Sequence, residues 1–181
     1  MPNPQHRVTP VSLPPESGIA RAFASPNLAD AYSIELPPGA LTDPVLLARF
    51  IFSHQPPWVS TLTAIRDALV GRFGLKTAKQ LTSLGAESET GRLSIFKIYG
   101  TNSTEVVLGE DDKHLDFRLS VLCSNKPSPG GKRHLTFSTV VHCHNRLGRL
   151  YILVIAPFHR LVVQASLRRA AQIGWPSAAE A

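Results

Sequence analysis

Cysteine is scarce in this sequence: Cys123 and Cys143 are the only two in 181 residues. No Cys-x-x-Cys pair occurs, which excludes a zinc ribbon and a thioredoxin-type motif. Both cysteines stand in strand-like runs, where a free thiol behaves as a small buried hydrophobe. A disulfide stays open if their strands are neighbours. Charge is also sparse, at 18% of residues, and no acid lies between Asp116 and Glu180. The longest near-apolar run, residues 150–158, falls short of the ~20 residues of a membrane span. The chain opens without an apolar leader segment, so a cytoplasmic protein with no transmembrane segment is expected. A Gly-x-Ser-x-Gly elbow, a Gly-x-Gly-x-x-Gly fingerprint and a phosphate-loop lysine are all missing. Those absences disfavour triad hydrolysis and nucleotide-dependent chemistry. Ser138 and Thr139 have no nucleophile partner in the sequence, and no cofactor is implied.

Hydrophobic residues make up 43% of the chain. A domain of ~150 residues buries roughly 68–70% of its unfolded surface, so this one needs no disulfide staple. The charge is lopsided. Residues 1–116 hold 10 Lys/Arg and 12 Asp/Glu, net −2; residues 117–181 hold 9 and 1, net +8. A basic half suits lipid headgroups, phosphates or nucleic acid, or is simply a solvated face. No nucleic-acid recognition motif accompanies it.

Residues 1–28 carry six prolines and little periodicity, which predicts a flexible arm, although Val11, Leu13, Ile19 and Phe23 could dock it. One domain is expected over residues 29–173, with a tail at 174–181. Residues 30–36 alternate as a first strand. Thr42 and Asp43 then offer N-cap oxygens and Pro44 suits the first turn of a helix that ends near His54. Pro56-Pro57 separates it from a second helix over residues 57–73, with Gly74 as its C-cap. Trp58, Leu62, Ile65, Leu69 and Phe73 form that helix's apolar stripe.

Beyond residue 92 the period changes from 3.6 to 2. Strands are expected over residues 93–99, 104–110, 115–123 and 134–144, joined by short polar turns into an antiparallel meander. Asn145 caps a last helix that runs to about Gln172. Residues 150–155 are apolar all round, which predicts burial, and Pro157 predicts a kink or break. The order implies an α+β fold: a curved antiparallel sheet with two short helices after the first strand and a long C-terminal helix. That topology resembles the helix-grip architecture of START and plant-allergen-like proteins, in which a cavity separates sheet and helix.

Three stretches carry a family resemblance. They are Pro57-Trp58 through Phe73-Gly74-Leu75-Lys76-Thr77, then residues 107–118 (Val-Leu-Gly-Glu-Asp-Asp-Lys-His-Leu-Asp-Phe-Arg), then residues 144–149 with 156–160. They resemble an uncharacterised bacterial family, the domain of unknown function 2867. The resemblance covers residues 30–171 and implies one compact domain; it supplies no catalytic residue.

Candidate site residues follow from strand parity. His114, Asp116 and Arg118 share one face of their strand. They could bind an anionic headgroup or do acid–base work, or form a solvated outer face. His142 and His144 share a face of the next strand. With Asp116 or His114 they could bind zinc, or they are strand-end histidines. Arg146 and Arg149, three apart around Gly148, could grip a phosphate or carboxylate, or bond to Glu110, Asp111 or Asp112 at a structural junction. Gly148 in a first helical turn implies close backbone packing or the approach of a ligand. The leading functional expectation is a small apolar or amphipathic ligand held between sheet and last helix. Val106, Leu108, Leu119, Val121, Phe137, Ile152, Ile155 and Phe158 would wall it or fill a solid core. The alternatives are an enzyme using His114, Asp116 and Arg118, and a protein that meets an anionic membrane or a partner through its basic half.

Overall fold

The structure, a computed structural model, describes residues 6–70, 91–124 and 132–177. In chain order these residues form β1 (Thr9–Val11), β2 (Leu28–Leu36), α1 (Pro44–Ser53), α2 (Pro57–Val70), β3 (Arg92–Leu93), β4 (Phe96–Thr101), β5 (Glu105–Asp111), β6 (Leu115–Cys123), β7 (Arg133–Cys143) and α3 (Arg146–Ile173). The fold is α+β. Seven strands make one curved antiparallel sheet in the order β1-β2-β7-β6-β5-β4-β3. The helices cover its concave face.

Local chemistry sets the element ends. The Asp43 carboxylate accepts from the Leu46 N–H at 2.9 Å, and Pro44 fills the first helical position. The Asn145 side chain likewise accepts from the Gly148 N–H at 3.0 Å to open α3. These bonds satisfy N–H groups that a helix start otherwise leaves unpaired. Residues 93–99 do not form one strand. Ser94 takes a φ of 58° and turns the chain into a tight β3–β4 hairpin.

Parity divides the sheet. Leu115, Phe117, Leu119, Val121 and Cys123 of β6 point to the helices, with Leu135 and Phe137 of β7 beside them. The main core joins Ile34, Leu108, Val121 and Leu135 to Leu47 and Ile51 of α1 and Leu167 of α3. A second cluster holds Leu28, Leu115, Val141, Cys143 and Ile152. Cys123 and Cys143 are free and buried. Their strands are neighbours, but Cys123 stands opposite Leu135 and Cys143 opposite Leu115, at opposite ends of the ladder.

Several expectations are corrected. Residues 6–27 are not a free arm: β1 pairs with β2, Ile19 is 1% exposed, and the segment lies on the convex sheet face. The tail is docked as far as Ser177, which bridges to Ala40, and Trp175 joins the core. In α2, Trp58 and Ile65 are exposed while Val59 is buried. Leu62 faces inward as expected, but beside Val59, Thr63 and Arg66, an orientation matched by the bond from Arg66 to Tyr151 of α3. Leu69 falls where side chains are not described, and Phe73 and Gly74 lie outside the described residues. α3 runs unbroken through Pro157. Its residues 150–155 are not buried all round: Ile152 is, but Leu150, Leu153 and Val154 are exposed. One sheet can cover only one side of a helix.

Candidate functional site

A cavity of about 340 Å³ lies between the concave sheet face and the helices. Period-2 alternation brings Leu115, Phe117 and Leu119 of β6, and Phe137, Thr139 and Val141 of β7, to its floor. Ile152, Ile155 and Phe158 of α3 form one wall, and Val59 and Leu62 of α2 another. Of the eight residues expected to wall it, Leu119, Phe137, Ile152, Ile155 and Phe158 do so. Val106, Leu108 and Val121 are fully buried in the main core instead.

Ten of the 28 residues lining this space are polar, and several of them are tied. Arg66 donates from Nε to the Tyr151 hydroxyl at 2.9 Å and pairs with Asp67 at 3.1 Å. Glu110, buried on the inward side of β5, pairs with Arg92 at 2.8 Å. That pairing is what makes a carboxylate tolerable at the edge of an apolar wall. His159 stands 3.3 Å from Asp30. The Thr139 and Ser166 hydroxyls are buried, and neither finds a hydrogen-bond partner among the described residues. A mostly apolar chamber with placed polar groups has the chemistry of a small-molecule pocket.

The polar residues read from the sequence lie elsewhere, and His114 does not join the others. Asp116, Arg118, His142 and His144 project from the convex face, opposite the cavity. Asp116 meets His144 at 3.0 Å. His142 stacks on Phe23, 5.7 Å between rings, and faces the Ser25 carbonyl at 3.3 Å. Arg118 pairs with Asp111 at 2.7 Å and lies 3.6 Å over the Tyr99 ring. Burial and the Asp111 hydrogen bond push the Tyr99 phenol up to about 12. Burial raises Asp111 as well, but hydrogen bonds from Tyr99 and Arg118 outweigh it and hold the carboxyl below its ordinary value. His114 is separated from this group: it is buried, and its Nδ1 lies 2.9 Å from the Asn145 amide. Among the described residues no three His, Cys, Asp or Glu side chains are arranged to hold a metal.

At the β7–α3 junction the His144 N–H donates to the His114 carbonyl at 2.9 Å. Gly148 packs so closely against that carbonyl that a Cβ would stand 2.3 Å from its oxygen. The expected close approach is therefore to backbone. Arg146 and Arg149 flank this contact, exposed, and among the described residues neither forms an ion pair with Glu110, Asp111 or Asp112.

A family model described as a protein of unknown function, DUF2867, matches residues 22–166. The chain belongs to the DUF2867 family. Comparison with curated proteins and with solved structures finds no match. The matched span of this DUF2867 chain starts inside the docked N-terminal segment and ends at Ser166, on the cavity side of α3.

Sequence reasoning passed over the polar groups of the DUF2867 cavity. Glu110 was open to it, because Val106, Leu108 and Glu110 share one strand parity. Arg66 was not, because the face that α2 turns inward depends on Tyr151, 85 residues away.

Proposed function

We propose that this DUF2867 protein binds a small apolar or amphipathic molecule in the cavity between its sheet and α3. The observation that carries the reading is the chamber of about 340 Å³, walled by Phe117, Leu119, Phe137 and Ile155, with Arg66, Tyr151 and Glu110 among its polar groups. Its volume falls within the range of about 300–1,000 Å³ common to ligand pockets. An apolar body would fill the chamber, and an acidic or hydroxylic head would meet Arg66 and Tyr151. A helix-grip arrangement supplies this kind of space. The enzyme reading that uses His114, Asp116 and Arg118 draws less support: Asp116 and Arg118 face away from the cavity, and His114 is bonded into the α3 cap.

A dansylated medium-chain fatty acid tests the proposal by its fluorescence on titration into the purified full chain. Saturable enhancement is expected. Ala156 lines the chamber, and Ala156→Trp should fill it and abolish the enhancement while circular dichroism stays unchanged. No enhancement with the wild type, or equal enhancement with a folded Ala156→Trp variant, would overturn the reading.

A further inference from the structure

The outer side of α3 is apolar where solvent should meet it. Leu150 is 58% exposed, Leu153 74%, Val154 53% and Leu161 58%. At 100° per residue these side chains lie on one side of the helix, and from residue 150 to 161 they extend roughly 16 Å along its axis. The opposite side is packed: Ile152, Val163, Leu167 and Ala170 are buried in the domain. By length and composition α3 could cross a membrane, but a helix fastened along one side to a sheet can only lie flat on one.

The charges decide what meets this surface. α3 carries Arg146, Arg149, Arg160, Arg168 and Arg169 and no acid. Arg160 is engaged, 3.7 Å from Asp30, and Arg168 bonds to Gln164 at 3.0 Å. Arg146 and Arg149 are exposed at the N-terminal end of the stripe, with Arg168 and Arg169 exposed beyond its other end. A second copy placed face to face would set arginine against arginine with no carboxylate on either helix. An anionic bilayer supplies what both parts need, an acyl boundary for the leucines and phosphates for the arginines. We infer that α3 docks this protein, flat and through its exposed Leu150–Leu161 stripe, on the surface of an anionic phospholipid membrane. The inference stands whether or not the cavity holds a ligand.

Vesicle flotation of the full chain tests it, with phosphatidylcholine alone and with phosphatidylcholine and phosphatidylglycerol at 3:1. Flotation is expected with the anionic vesicles only, weakening as salt rises. Arg146→Ala/Arg149→Ala should weaken it roughly fivefold per arginine. Leu153→Glu/Leu161→Glu changes exposed positions, so the fold should survive, as circular dichroism will report, and flotation should be lost. Three results would overturn the inference: no flotation of the wild type with anionic vesicles, undiminished flotation of the folded double-glutamate variant, or a dimer in sedimentation velocity that this variant dissociates.

Discussion

Gly148 shows how much a single residue can declare in advance. A glycine in a first helical turn is costly unless something must come close, and here it is the His114 carbonyl oxygen, 2.3 Å from where a Cβ would sit. Both partners are backbone, so Gly148→Ala must displace either the start of β6 or the first turn of α3. We expect a loss of about 1–3 kcal/mol in urea denaturation. Tyr99 carries a second residue-scale prediction. Burial and the bond to Asp111 raise its folded pKa from 10.0 to about 12. Below pH 10 the phenol is protonated in both states and its contribution to stability is intact. Between pH 10 and 12 the unfolded chain releases the proton while the native chain keeps it, so stability falls as pH rises. Burial and the nearby Asp30 raise Tyr32 as well, so phenolate absorbance should show late titration from which Tyr99→Phe removes the component near pH 12. Asp111 works in the opposite sense: its folded pKa is depressed below 3.8, so its contribution is present above that pH and is lost as pH falls through the folded value.

At the scale of elements, capping and parity were legible and facing was not. β6 occupies the residues that its alternation marks, 115–123. Asn145 caps α3 as its side-chain chemistry requires. The exposed side of α3 was misread because an all-apolar helix signals burial only when neighbours surround it, and sequence does not count neighbours. The stripe of α2 holds at Leu62 but not at Trp58 and Ile65: Trp58 and Val59 both belong to plausible apolar faces, and tertiary packing chose between them. Asn145 shows how an element end can serve two partners. It accepts from the Gly148 N–H and meets His114 Nδ1. Asn145→Ala should therefore cost at least the ~1 kcal/mol of an ordinary cap. Asn145→Ser, which can cap but is too short for His114, should recover only part of it in thermal unfolding. Ser166→Ala makes the converse case. It removes a buried hydroxyl that has no partner among the described residues, and we expect unchanged or slightly raised stability.

For the molecule as a whole, the N-terminal segment carries the lesson. Six prolines and weak periodicity suggest a flexible arm, yet Thr9–Val11 forms β1 on the edge of the sheet. Val11, Leu13, Ile19 and Phe23 offered apolar docking, but the sequence does not reveal the polar fixing point on the sheet. Glu105 faces the convex side of β5, out of parity with Val106 and Leu108, and would ordinarily be solvated. It is instead 4% exposed, accepting from the Ser17 hydroxyl at 2.6 Å, from the Gly18 N–H at 2.9 Å and from the Ser120 hydroxyl. One carboxylate thus joins the segment to both β5 and β6. Glu105→Ala leaves three donors in a buried site without their acceptor, at about 1–3 kcal/mol for each that water cannot reach. The penalty can be relieved by lifting residues 14–25 off the sheet, because the core beneath α1 and α3 does not depend on them. Trypsin should then cut after Arg21 far sooner in the variant than in the wild type, ahead of any cleavage within the sheet. Glu105→Gln keeps an acceptor oxygen and should fall between the two. If cleavage at Arg21 is equally slow in all three proteins, β1 pairing and the buried Ile19 side chain hold the segment and the carboxylate does not.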